Sequence, residues 1–279
     1  EEVSARANEL LDHGQIDPAI RILENRLTEE PERVDLLEPL AFAYSAAGDP
    51  MMAAVTFAQI AEIAPEEPEY LLYAAQSLQE AGDRKGATNR YREYLEHRPQ
   101  ERGIWRILAE MEEKQGNRSE ALEAYLAAEN IEASAEQELA IGQLYLQANN
   151  LAQAQSWFAR ALNFDNEYRD EALLGLVETA IRSRRFSDAE DLVEQLDNEY
   201  PGRLEESHLA DVRQELEDWR QRREEAKEAL AALEERQRLQ VAAEEVSESE
   251  VSSQATDSSG SEESTGSGES EAVAATTPE

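Results

Sequence analysis

Residues 37–65 read LEPLAFAYSAAGDPMMAAVTFAQIAEIAP. Leu37, Leu40, Ala41 and Tyr44 recur at three- and four-residue spacing, which gathers them on one face of a helix. Gly48 ends that helix, because a left-handed backbone costs glycine less than any residue with a Cβ. Asp49-Pro50 then supplies an N-cap and a proline at the first position of a second helix. Ala53 is small where two helices must approach closely, and Phe57, one turn on, fills the adjoining gap. Pro65 stops the second helix. The segment is a pair of helices around a tight turn.

The same punctuation recurs outward in both directions. Prolines stand at Pro31, Pro65 and Pro99, and glycines at Gly14, Gly48, Gly82 and Gly116, every one 34 residues after the last. Alanines follow at Ala19, Ala53, Ala87 and Ala121, continued by Ala154 and Ala189 at spacings of 33 and 35. Four positions beyond each lies a large residue: Leu23, Phe57, Tyr91, Tyr125, Phe158 and Val193. A period of this length is the signature of a stacked repeat. Asp17-Pro18 matches Asp49-Pro50 as a helix start, and Ser187 with Glu190 has the pattern of a capping box. Two turn glycines are replaced, by Asn149 and Arg184; asparagine tolerates the left-handed conformation better than most residues.

These residues resemble the tetratricopeptide repeat family, whose unit is a helix–turn–helix of 34 residues. The likeness is full in the second unit. It is clear in the fourth (Trp105, Leu108, Ala109, Gly116, Ala121, Tyr125, Ala128) and in the fifth (Ile141, Gly142, Tyr145, Ala154, Phe158, Ala161). It weakens in the first unit, where Arg6 takes an apolar place, and in the sixth, as terminal repeats do when an outer face meets water. The resemblance covers residues 1–202 and implies an all-α fold, a right-handed α-solenoid of about six repeats. It also implies that the first helix of each unit lines a concave groove that holds a partner polypeptide. Carried over position by position, the groove residues are Glu38, Phe42 and Ser45; Leu72, Gln76 and Gln79; Arg106, Glu110 and Glu113; Leu139, Gln143 and Leu146; Leu174, Glu178 and Ile181. Some family members clamp a C-terminal carboxylate with Lys and Asn at these places. Here Arg106 is the one base and no Asn accompanies it, which argues against such a clamp. Apolar Leu139, Leu146, Leu174 and Ile181 beside the amides of Gln76, Gln79 and Gln143 suit a peptide with apolar anchors, and Glu110 and Glu178 suit a basic one.

From Arg203 to Val246 the period stops and a long charged helix is expected, with Leu209, Val212, Leu216, Trp219, Ala226, Leu230 and Leu233 along one seam. Its first part has the makings of a cap on the last repeat; its second part has the makings of a short coiled coil, so that a homo-oligomer assembled through this helix or the repeat edges is the alternative to the scaffold. Residues 247–279 contain no Lys, Arg or aromatic residue and are expected to be a disordered acidic tail.

Composition narrows the function. With 62 acidic against 26 basic side chains and a formal charge of −36, the chain repels nucleic-acid phosphates. It has no Cys, hence neither disulfides nor thiolate chemistry. No apolar run approaches the roughly 18 residues of a membrane span. His13, His97 and His208 fall in distant units, which argues against a shared metal or catalytic site, and neither a phosphate-binding loop nor a nucleophile elbow occurs. The reading is a protein that is not an enzyme and takes no cofactor. Its start at Glu1 without Met, and its lack of Cys, fit an exported bacterial envelope protein; a cytoplasmic one fits nearly as well.

Overall fold

A computed structural model of the chain describes residues 2–164 and 167–257. Among these there are thirteen helices and no strand. The first twelve form six pairs: α1 (Glu2–Asp12) with α2 (Ile16–Leu27), α3 (Val34–Ala47) with α4 (Pro50–Ile63), α5 (Glu69–Glu80) with α6 (Arg84–His97), α7 (Arg102–Gln115) with α8 (Arg118–Ile131), α9 (Ala135–Gln147) with α10 (Leu151–Ala161), and α11 (Arg169–Arg182) with α12 (Phe186–Glu199). Each helix packs on the next, so the pairs stack into an α-solenoid. The chain divides into two compact units, residues 1–212 and 213–279.

The periodic residues are the core. Ala19, Ala53, Ala87, Ala121, Ala154 and Ala189 have no exposed surface, and the large residue four places after each is buried as well. Partnering them from the first helices are Ala7, Ala41, Ala75 and Ala109, also fully buried, then Gly142 and Gly175. The two glycines receive one ring: a Cβ on either would stand 2.7 Å from Cε1 of Phe158. Close helix approach through small residues is thus the rule of the stack, and at Phe158 the approach leaves room for glycine alone.

Turn chemistry follows the sequence in most repeats. Asp49 and Asp83 cap α4 and α6 by accepting from the amides of Met52 and Gly86. Asn149 and Arg184 both adopt a φ of 56°, the left-handed conformation that the repeat reserves for glycine. Two starts differ from expectation. Helix α2 begins at Ile16, so Asp17-Pro18 lies inside its first turn, where an acid suits the dipole and a missing N–H breaks no bond. Helix α12 begins at Phe186, so Ser187 sits past the cap position, which Arg185 occupies. Pro39 lies inside α3 and cannot donate to the carbonyl of Asp35; the Ser4 hydroxyl of α1 donates to that oxygen instead, at 2.9 Å.

Beyond the repeats, residues 201–211 form successive turns, and α13 (Val212–Asp257) starts nine residues later than the helix expected from Arg203. It also runs past Val246 to Asp257, where the sequence reads as tail; the tail from 258 onward lies outside the described residues. Along α13, Leu230, Leu233, Leu239 and Val241 are more than half exposed, and the guanidinium of Arg223 stacks over Trp219 at 5.1 Å. No described helix is long and apolar enough to cross a membrane.

Candidate partner-binding face

The first helices of successive repeats meet one another side by side. Ser4 of α1 bonds to α3, Phe42 of α3 meets Tyr73 of α5, Arg106 of α7 meets Glu136 of α9, and Arg182 of α11 donates to the carbonyl of Leu146 in α9 at 3.2 Å. The first helices of these repeats make up one side of the stack, and the residues carried over from the repeat fall into three unlike regions.

The N-terminal half is aromatic. Phe42 is 45% exposed, edge-on to the buried ring of Phe57 at 5.1 Å and to Tyr73 at 5.7 Å. Tyr70 is buried beneath them; burial first, then the carboxylates of Glu38 and Glu67, push its hydroxyl up to about 12. Leu72 is half-buried, whereas Gln76 and Gln79 are exposed. Gln79 has an internal duty, accepting a bond from the buried Tyr91 hydroxyl at 2.9 Å, and Glu113 does the same for Tyr125 one repeat later, at 3.2 Å.

The centre is acidic. Arg106 is shared at 3.5 Å between Glu110 and Glu136. The first helices together carry fifteen Asp and Glu against six Lys and Arg. Burial and the charges of Glu113 and Glu110 raise the Tyr125 hydroxyl, which reports the negative field there.

The C-terminal half corrects the sequence reading. Leu139, Leu146 and Leu174 are buried, with 4–6% of their surface exposed, so they do not form an open apolar patch. Leu139 and Leu146 pack with Ala154, Phe158, Ala161 and Ala172 between neighbouring helices, and Ile181 is half-buried. Leu146 and Leu174 do reach a cavity of about 400 Å³ between α9, α11 and the turns after α12. Its floor is Leu146, Phe158, Leu174 and Gly175, and its lip carries the exposed amides of Gln143 and Gln147. The opposite wall is Arg203, Ser207 and His208. Glu178 holds that wall in place, accepting from Arg182 at 2.5 Å and pairing with His208 Nε2 at 2.9 Å, while Arg203 pairs with Asp170. Sequence reasoning missed Tyr73, Glu136 and the wall. Tyr73 follows Leu72 at a place the repeat does not mark, and residues 203–208 lie outside the period altogether.

Residues 145–215 match the family model described as Tetratricopeptide repeat. Among solved structures, a chain of Naa15/Naa10 bound to HypK-THB aligns over 84% of this chain with a TM-score of 0.58 and 16% identity; the alignment covers 36% of that chain. The Pseudomonas aeruginosa pilF structure aligns over 77% of this chain and 96% of its own, at 16% identity and a TM-score of 0.42. A MamA crystal structure aligns over 56% and 92%, at 19% identity and a TM-score of 0.44. At these identities the likeness concerns the fold. No curated protein sequence matches the chain.

Proposed function

We propose that this tetratricopeptide repeat protein is a non-catalytic scaffold that holds a cationic polypeptide segment with apolar anchors along the face of its first helices. Proteins of this repeat family are generally non-catalytic and serve protein–protein interaction, and the finer reading rests on the face itself. The observation that carries it is the imbalance of charge: Arg106 is already divided between Glu110 and Glu136, and the carboxylates outnumber the bases along the whole array. A surface of one sign attracts the opposite sign and sets the orientation of what binds. The exposed Phe42 with Tyr73, and the amides of Gln76 and Gln143, supply an aromatic contact and main-chain hydrogen bonds for an extended peptide.

The test is fluorescence anisotropy of the full chain with two degenerate pools of twelve-residue peptides, both containing Leu, Phe, Ala and Gly, one with Lys and Arg and the other with Asp and Glu. The cationic pool binds and the acidic pool does not, and Glu110→Lys weakens the cationic pool about fivefold or more, in keeping with roughly 1 kcal/mol for a partly exposed charge contact. Equal binding of the two pools, or binding of neither, sinks the reading.

A further inference from the structure

The cavity at the C-terminal end of the face has a definite construction. In the first four repeats the small residue of the first helix is alanine (Ala7, Ala41, Ala75, Ala109); in the last two it is glycine. Gly142 and Gly175 let the Phe158 ring sink between α9 and α11, close enough that a Cβ on either helix would strike it. The ring therefore lies as a floor, below the level that a methyl group would impose. On the far side the chain ceases to repeat. In place of a further first helix stacking on α11 there are the turns of residues 201–211, and these leave space over Leu174 and Gly175. The turns are pinned: Arg203 pairs with Asp170, the Ser207 hydroxyl donates to the carbonyl of Leu204 at 2.6 Å, and His208 pairs with Glu178. The result is a preformed cavity of about 400 Å³ with an apolar floor, in the range of sites that enclose a small ligand or a side chain.

Two features say what enters it. Among the described residues the Gln143 side chain makes no hydrogen bond, and the Gln147 amide uses only its oxygen, accepting from Arg118 at 2.9 Å. Placed one turn apart on α9, their amides offer donors and an acceptor at the lip, which is what a peptide main chain needs. Glu171, exposed at the same lip, has no ion pair among the described residues and so awaits a cation. Resting on the reading of the face given above, we infer that the cavity is the anchor socket of the bound segment. It takes one large aliphatic or aromatic side chain, with Gln143 and Gln147 on the flanking main chain and Glu171 on a neighbouring Lys or Arg. The floor selects size, the amides set the direction of the chain, and the carboxylate favours a cation beside the anchor.

The experiment uses the full chain and acetylated, amidated cationic pools whose central residue is fixed as Leu, Phe or Ala. Leu- and Phe-fixed pools bind about tenfold more tightly than the Ala-fixed pool, the discrimination usual for filling an apolar pocket with several methylenes. Ser207→Phe, which fills the cavity from its wall, abolishes that difference. A second measurement on the unaltered chain guards against a misfolded variant: a photo-leucine at the fixed position crosslinks to peptides containing residues 143–147, 171–178 or 203–208. Cationic pools that bind with no preference for Leu or Phe, or that crosslink near Phe42 and Tyr73 instead, overturn the socket and leave the acidic face standing. Absence of binding by every pool overturns both.

Discussion

Arg184 pays a conformational penalty that the turn glycines of the period avoid. It holds a φ of 56° where Gly14, Gly48, Gly82 and Gly116 hold 70–83°, and its side chain is exposed. An L-residue loses about 1 kcal/mol in that conformation. Arg184→Gly should therefore raise stability by about 1 kcal/mol, read as a higher midpoint in urea unfolding; a lower midpoint would mean that the arginine side chain contributes more than its backbone costs. This strain was legible in the sequence, because the 34-residue period fixes which position must turn left-handed whatever residue stands there. The glycines under Phe158 show the limit of such reading. Gly142 is visible in the period, but the same ring reaching Gly175 from the other side is a matter of how closely α9, α10 and α11 approach.

At the joint of α8, α9 and α10 the helices bury acid. Arg160 bridges Glu129 and Glu138 at 2.6 Å each and lies 4.0 Å over the ring of Trp157, and both carboxylates are buried. Burial above all, with Glu129 adding to it and Arg160 opposing, pushes Glu138 up to about 7. One cation does not support two buried carboxylates, so the pair holds a proton that the unfolded chain has already lost near pH 4.5. The folded state thus binds more protons than the unfolded state between about pH 4.5 and 7, and its stability falls as pH rises through that window. Thermal melts at pH 5 and pH 8 should show the native chain less stable at the higher pH by on the order of 2 kcal/mol. In Glu138→Gln this loss should shrink to a small remainder; a wild-type melt that is flat over the window would contradict the shared proton. None of this was readable from the sequence, since in so acidic a chain no pair of glutamates stands out. Elements, by contrast, were legible wherever the period ran: the twelve repeat helices follow it, while α13 departs at both ends because nothing periodic marks residues 201–211.

Across the six repeats the molecule presents one side made of first helices and another made of second helices, and its function depends on which side a partner uses. The sequence located the first side through the repeat, and Phe42, Gln76, Gln143 and Glu178 do lie exposed or half-exposed along it. It misjudged Leu139, Leu146 and Leu174, because apolar residues at those places serve packing between repeats before they serve a ligand. A charge placed at Leu139 would test folding more than binding. The second helices carry their own apolar residues, with Met51 and Val55 of α4 44% and 55% exposed, so exposure alone does not choose between the sides. The proposed partner takes the first side, where Glu110 and Glu136 stand around Arg106. The direct measurement places a benzophenone side chain at position 76 or, separately, at position 55 of the full chain and irradiates each with the cationic peptide pool. Crosslinking from position 76 in clear excess over position 55 is the outcome this account predicts. Equal labelling from the two positions, or an excess from position 55, would contradict it.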